Sequence, residues 1–209
     1  MGFLARTRCY LAGPVENSDD YSVWRNDIAG QLREMEIDVY DPITKPQWMQ
    51  PTCRIKDQSA YRRILNSNKP ESIDGLIIDK QEIFSANAEM REIDLRLVFV
   101  VDWVICYLPS NKPTYGTIEE VTAAISMGKP VFFCCPNGIP SMWLLAAASD
   151  MHNYTDVFFN DWKSLIEHVH RLDNMSVSID PHVWPAPCWI QYAERQMDDF
   201  RKITHVSDY

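Results

Sequence analysis

The chain has 209 residues, 29 of them acidic and 20 basic, a formal net charge of −9 and 46% hydrophobic side chains. A chain of this length buries roughly 70% of the surface it exposes when unfolded, and its seven Trp, nine Tyr and eight Phe exclude an intrinsically disordered chain. The acidic balance argues against a nucleic-acid surface, because phosphate backbones are bound by clustered Lys and Arg, but a small anionic ligand stays open wherever arginine is concentrated locally.

Short β-type runs alternate with helical patterns along the chain, the signature of a parallel sheet covered by helices. Arg8 to Ala12 reads as a first strand ending in Gly13-Pro14. Trp24, Ile28, Gln31, Leu32 and Met35 then fall close to helical spacing, which predicts a helix over 21–36. Ile37 to Tyr40 is a brief second strand stopped by Asp41-Pro42. Residues 43–88 are richer in polar side chains and proline and read as an insertion with a short helix at 57–65, longer than an ordinary strand-to-helix connection. From Glu89 the pattern predicts a helix to about Val101, a central strand at 103–108, the loop SNKPTYG, a helix over 118–127 and a strand over 131–135. A helix near 141–148, a strand at 156–159 and a helix with Trp162, Leu165, Ile166 and Val169 on one face complete the unit. The expected fold is α/β, a five-stranded parallel sheet in the order 2-1-3-4-5 with helices on both faces. It occupies residues 1–170, and a tail over 171–209 packs on this domain or on a partner chain.

The longest apolar stretch, Leu97 to Leu108, is interrupted by Asp102 and falls short of the roughly 20 residues a membrane helix needs. The opening MGFLARTR has no apolar signal core, so a cytoplasmic protein is expected. Of the six cysteines (Cys9, Cys53, Cys106, Cys134, Cys135, Cys188), four lie in apolar strand runs and read as core filler in a reducing compartment. No cysteine pair has the spacing of a zinc knuckle, and the five histidines are scattered. Neither a metal nor a cofactor is expected.

Open parallel sheets bind ligands outside the carboxyl ends of their strands. That rule selects Gly13-Pro14, Asp41-Pro42, Pro109 to Thr117 and Pro136 to Gly138, and it brings Asp94, on a helix antiparallel to the next strand, near the same edge. No glycine-rich phosphate loop is present. Gly116-Thr117-Ile118-Glu119-Glu120 stands where a loop enters a helix, whose free N–H groups and partial positive charge suit an anion and favour an ionised carboxylate. Glu120 is thus a candidate nucleophile. The same spacing, Thr117 followed three residues later by Glu120, is also that of a capping box. Asp94 lies beside the apolar face of its helix (Ile93, Leu97, Val100, Val101), where an aspartate is commonly solvated or paired with an arginine. Asp102 is expected to close the turn before the central strand. Tyr10, Trp24 and Trp48 suit stacking on a planar base, while aromatic residues at strand or helix spacing belong to the core more often than to a ligand platform.

The stretch MREIDLRLVFVVDWVICYLPSNKPTYGTIEEVTAAISMGKPV, with CYLAGP near the start and VYDP after the second strand, resembles the nucleoside 2-deoxyribosyltransferase superfamily, which includes the 2'-deoxynucleoside 5'-phosphate N-hydrolases. The resemblance covers about residues 8–170 and implies a flavodoxin-like fold, with Glu120 as nucleophile and Asp94 as second active-site carboxylate. It implies cleavage of the N-glycosidic bond of a nucleoside or nucleotide, a substrate pocket drawing on Tyr10, Gly13, Trp24, Asp41, Trp48, Thr114, Gly116 and Thr117, and a homo-oligomer that completes its pocket across subunits. Trp143, Leu144 and Leu145 after the fourth strand and Trp184 and Trp189 in the tail would suit such an arrangement. Transferases acting on unphosphorylated nucleosides carry an aspartate two residues before the GT, where this chain has Thr114, a hydroxyl that suits a 5'-phosphate. The hydrolases' arginine after the first strand corresponds to Glu16, so a phosphate would need Arg25, Arg62, Arg63 or Arg91. PTYGTIEE is also similar to the PGGxGTxxE segment of cytokinin-type phosphoribohydrolases, with Thr114 and Tyr115 in place of the two glycines. The expected reaction is hydrolysis of a (deoxy)nucleoside 5'-monophosphate. The alternatives are transfer of the sugar to another base, or a non-catalytic nucleotide-binding protein in which Glu120 is a helix cap.

Overall fold

A computed structural model describes residues 2–15, 21–46, 58–67, 69–73, 75–109, 115–139, 141, 144, 146 and 157–174. The elements in chain order are β1 (Arg8–Ala12), α1 (Tyr21–Glu34), β2 (Asp38–Tyr40), α2 (Gln58–Ser67), β3 (Glu71–Ile73), β4 (Leu76–Ile78), α3 (Lys80–Val100), β5 (Trp103–Tyr107), α4 (Tyr115–Ser126), β6 (Val131–Cys134), β7 (Phe158–Phe159) and α5 (Trp162–Asp173). Five strands form one sheet in the order β2-β1-β5-β6-β7, every neighbouring pair parallel. Counted within this sheet, that is the expected 2-1-3-4-5 with β5 at the centre, the strand order of a flavodoxin-like α/β fold.

Successive strand residues point to opposite faces of a sheet. All four residues of β6 and four of the five in each of β1 and β5 are buried, so both faces of the sheet are covered. The apolar runs YLA, WVIC and VFFC are therefore continuous rather than alternating, as strands buried on both faces require. Cys9, Cys106, Cys134 and Cys135 are free thiols inside this core, as expected of filler. The core also takes Ile28, Ala29 and Leu32 from α1, Leu97 and Val98 from α3, Val121 and Ala124 from α4, and Leu165, Ile166 and Val169 from α5.

The amino ends of β1 and β5 are joined by Asp102, whose carboxylate accepts from the Arg8 backbone N–H (2.8 Å), from Arg8 Nε (3.1 Å) and from Arg8 Nη2 (2.8 Å). Asp102 thus closes the turn before β5, at the edge opposite the carboxyl ends of the strands. Near the chain start, the Leu4 N–H donates to the Asp173 carboxylate (2.8 Å) and pins the end of α5, which runs past residue 170.

The insertion departs from its expected form. Its short helix is α2, but β3 and β4 then pair as an antiparallel hairpin and α3 begins at Lys80, well before Glu89. The reason is local. Asp79 accepts from the Glu82 N–H (2.9 Å) while Glu82 reaches back to the Asp79 N–H (3.2 Å), a capping box that starts the helix. Between Ile83 and Leu97 no residue of α3 is fully buried, so this portion carries no apolar stripe for a periodicity argument to find. Ile64, Ile78 and Ile83 form a second, small core beneath α2 and the hairpin. Most of the expected helix near 141–148, Trp48, Thr114, Trp143, Leu145, Cys53, Cys188 and the tail beyond 174 lie outside the described residues.

Candidate active site

The site is built from the carboxyl ends of β1 and β2 and from the flanks of α1, α3 and α4. The fully buried Tyr10 of β1 points toward α4, and its hydroxyl donates to Glu120 Oε1 at 2.6 Å. Burial lifts the Glu120 carboxyl to about 7, and the neighbouring Asp94 charge pushes in the same direction. The Tyr10 hydrogen bond and the charges of Arg25 and Lys45 restrain the rise. Tyr10 itself is held far above the ordinary phenol range, first by burial and then by Glu120, so it stays a proton donor at any physiological pH.

These contacts bear on the capping-box reading of Glu120. Helix α4 begins at Tyr115, so Thr117 lies within the first turn, and Glu120 is too deep in the helix to reach back to a cap. Thr117 is buried, and the Glu120 carboxylate meets Tyr10 across the sheet. The capping-box reading is set aside.

Asp94, on α3, is mostly buried and raised above its ordinary range by burial. Its partner is Lys45, whose ammonium donates to Asp94 Oδ1; the lysine side chain is 7% exposed and the aspartate 18%. Lys45 reaches this position through the turn after β2. There the Asp41 carboxylate accepts from the Ile43 N–H (3.0 Å) and the Asp41 carbonyl from the Thr44 N–H (3.2 Å). Asp41 is anchored in turn by Arg25 Nη1 at 3.4 Å.

Arg25 is 1% exposed on the core face of α1. Its Nη1 donates to the Leu11 carbonyl (2.7 Å) and its Nη2 to the Gly13 carbonyl (2.8 Å), so it clamps the end of β1. Its guanidinium also lies 4.4 Å from the Trp24 ring centre. Trp24 stacks on Trp162 (centres 5.0 Å apart, planes 15° apart) and leans on Tyr107 at 5.2 Å. Gly13 makes room for it, since a Cβ there would stand 2.7 Å from Trp24 Cζ2.

Of the residues singled out from sequence, Tyr10, Asp94 and Glu120 therefore act on one another electrostatically, with Asp41 adjoining through Asp94. Gly13 and Trp24 adjoin them through Arg25. Gly116 and Thr117 stand one turn before Glu120 on α4. Among the arginines considered for a phosphate, Arg63 pairs with Glu71 (2.9 Å), Arg91 with Glu119 (2.8 Å) and Arg25 with the groups named above. Among the described residues no group of three or more His, Cys, Asp or Glu is arranged to hold a metal ion, and no helix is long and apolar enough to cross a membrane.

Sequence reasoning missed Lys45 and the clamping role of Arg25. Arg25, Ile28, Ala29 and Leu32 follow the i, i+3, i+4, i+7 spacing of a buried helix face, so a charged side chain stood in plain view on a core stripe. Lys45 carries no periodic signal. The clue was its place just after Asp41-Pro42, on a loop the sheet rule had already selected.

No family model matches the chain, and no curated protein matches it. Among solved structures, the chain is similar to a 2-deoxyribosyltransferase from the psychrotolerant bacterium Bacillus psychrosaccharolyticus, at 20% identity and a TM-score of 0.46, covering 77% of this chain and 90% of that one. It is similar to the CMP N-glycosidase BcmB of Clostridium botulinum at 13% identity and a TM-score of 0.45, over 79% of this chain and 99% of that one. It is also similar to a conserved protein of Enterococcus faecalis V583 at 20% identity and a TM-score of 0.44, over 80% of this chain and 99% of that one.

Proposed function

We propose that the protein is an enzyme that cleaves the N-glycosidic bond of a (deoxy)nucleoside 5'-monophosphate, with Glu120 as nucleophile and water as acceptor. The observation that carries this reading is the buried Glu120 carboxylate, hydrogen-bonded by Tyr10 and electrostatically coupled to a second carboxylate, at the carboxyl edge of an open parallel sheet. A carboxylate placed beneath C1' of the sugar stabilises the oxocarbenium-like transition state and then closes on C1' as the bond to the base breaks. The base leaves with the bonding electron pair and takes up a proton. Water next attacks C1', loses a proton and releases the Glu120 carboxylate.

Burial makes Glu120 more basic, hence a better nucleophile once ionised, and the Tyr10 hydroxyl supports the charged form. Asp94 is assigned to the sugar hydroxyls and to the proton of the attacking acceptor. Gly13, Asp41, Trp48, Thr114, Gly116 and Thr117 are assigned to the pocket wall, with Trp24 beside them and the N–H groups at the start of α4 facing the anionic part of the substrate.

The pairing of Arg63 and Arg91 with glutamates, and of Arg25 with β1, leaves the exposed Arg62 as the remaining candidate for a phosphate and favours a second reading, in which the substrate is an unphosphorylated nucleoside and the acceptor another base. One experiment separates these. The protein is incubated with nucleosides and their 5'-monophosphates, with and without a second free base, and the products are resolved by chromatography. Free base from a monophosphate supports the hydrolase, and a new nucleoside that forms only with added base supports the transferase. Bound but uncleaved nucleotide throughout the panel would reduce the chain to a binding protein.

A further inference from the structure

Two carboxylates that share a buried site resist ionising together, and the reaction proposed above needs Glu120 as an anion beside Asp94. Among the described residues, the groups that act on this pair are Tyr10 from β1, Arg25 from α1, Asp41 and Lys45 from the turn after β2, and Cys106 from β5. The tyrosine and the cysteine thiol are neutral at physiological pH, both raised well above their ordinary ranges by burial. Arg25 spends its two terminal nitrogens on the carbonyls of Leu11 and Gly13 and on Asp41. Among the described residues, Lys45 is the cation that touches the pair itself, through Asp94.

The path that brings it there is continuous. β1 carbonyls hold Arg25, Arg25 holds Asp41, and Asp41 closes the turn that presents Lys45 to α3. We propose that Lys45 is a positioning residue for the carboxylate pair: its ammonium, in contact with Asp94, fixes that carboxylate in one orientation as the anion and adds to the charge of Arg25 the positive charge that lets Asp94 and Glu120 be ionised together. The inference rests on the reading of these two carboxylates as the working pair, and it gives the loop after β2 a task in the chemistry besides shaping the pocket. Removing the ammonium leaves two like charges with less compensation, so both carboxyl groups hold their protons to higher pH.

The test is a carboxyl carbon-13 NMR titration of the wild-type protein and of the Lys45→Met and Lys45→Arg variants, with resonances assigned from Asp94→Asn and Glu120→Gln. Lys45→Gln takes the place of Lys45→Met if the latter does not fold by circular dichroism. The expected result is a rise in both midpoints on loss of the charge, corresponding to roughly 3- to 10-fold tighter proton binding, and return toward the wild-type values in Lys45→Arg. The acidic limb of kcat should move to higher pH by the same amount, with KM changed far less. Midpoints that stay in place when the ammonium is removed overturn the proposal, whatever the turnover. A wild-type protein that cleaves no nucleoside or nucleotide while its midpoints move with Lys45 would instead sink the proposed reaction and leave the charge coupling standing.

Discussion

Glu120 is a carboxylic acid that folding holds partly protonated, and this has a consequence for stability as well as for catalysis. Its folded-state value of about 7 lies above the 4.5 of a free glutamate. The burial that raises it leaves stability intact below pH 4.5 and costs progressively more as pH rises through 7. Glu120→Gln should therefore abolish turnover yet become more stable relative to wild type as pH rises, by up to about 3 kcal/mol between pH 5 and pH 8. Urea unfolding of both proteins at those two pH values checks the sign; a constant difference would mean that the carboxyl titrates normally. Tyr10→Phe removes the hydroxyl that supports the ionised form. Its acidic limb should shift to higher pH, and activity at neutrality should fall by roughly 10- to 100-fold, the worth of a hydrogen bond to a charged group.

At the scale of elements, the junction between β1 and α1 holds the site in register. Gly13 is needed there for space, because a methyl group would stand 2.7 Å from the Trp24 ring and 3.3 Å from Tyr107 Cβ. Gly13→Ala should cost about 1 to 3 kcal/mol of stability as Trp24 is forced off Trp162, and should change the tryptophan fluorescence. Asp79→Ala removes the start of α3 far from the carboxylates, so it should cost about 1 kcal/mol in thermal unfolding and leave kcat unchanged. The strands of the sheet and α1, α4 and α5 were legible in the sequence because apolar residues recur there at sheet or helix spacing and polar turns bound them. The first turns of α3 were missed because their signal is the pair Asp79 and Glu82, a cap with no apolar stripe behind it. Glu120 and Asp94 became candidates from the carboxyl edge of an open sheet taken together with the family resemblance, because their spacing alone suited a helix cap and a solvated aspartate as well. The Tyr10 hydrogen bond and the Lys45 ion pair were not, since each joins residues far apart in sequence, 110 and 49 positions, through contacts that only the packed sheet creates.

For the whole molecule, the remaining question is whether one chain closes the pocket. Tyr115, at the first position of α4, is 88% exposed, and Ile118, one turn on, is 39% exposed, both on the helix that carries Glu120. A second copy of the chain laid against the start of α4 would bury the Tyr115 ring. Leu144, one of the residues first considered for such an interface, is instead buried in the chain's own core, so the case rests on these two exposed side chains of α4. The expected outcome is a homodimer or larger assembly. Sedimentation velocity at micromolar concentration should give at least twice the 24.3 kDa of one chain, and Tyr115→Glu should shift the protein toward monomer with loss of turnover. A monomer with full activity at nanomolar dilution would show that each chain completes its pocket alone.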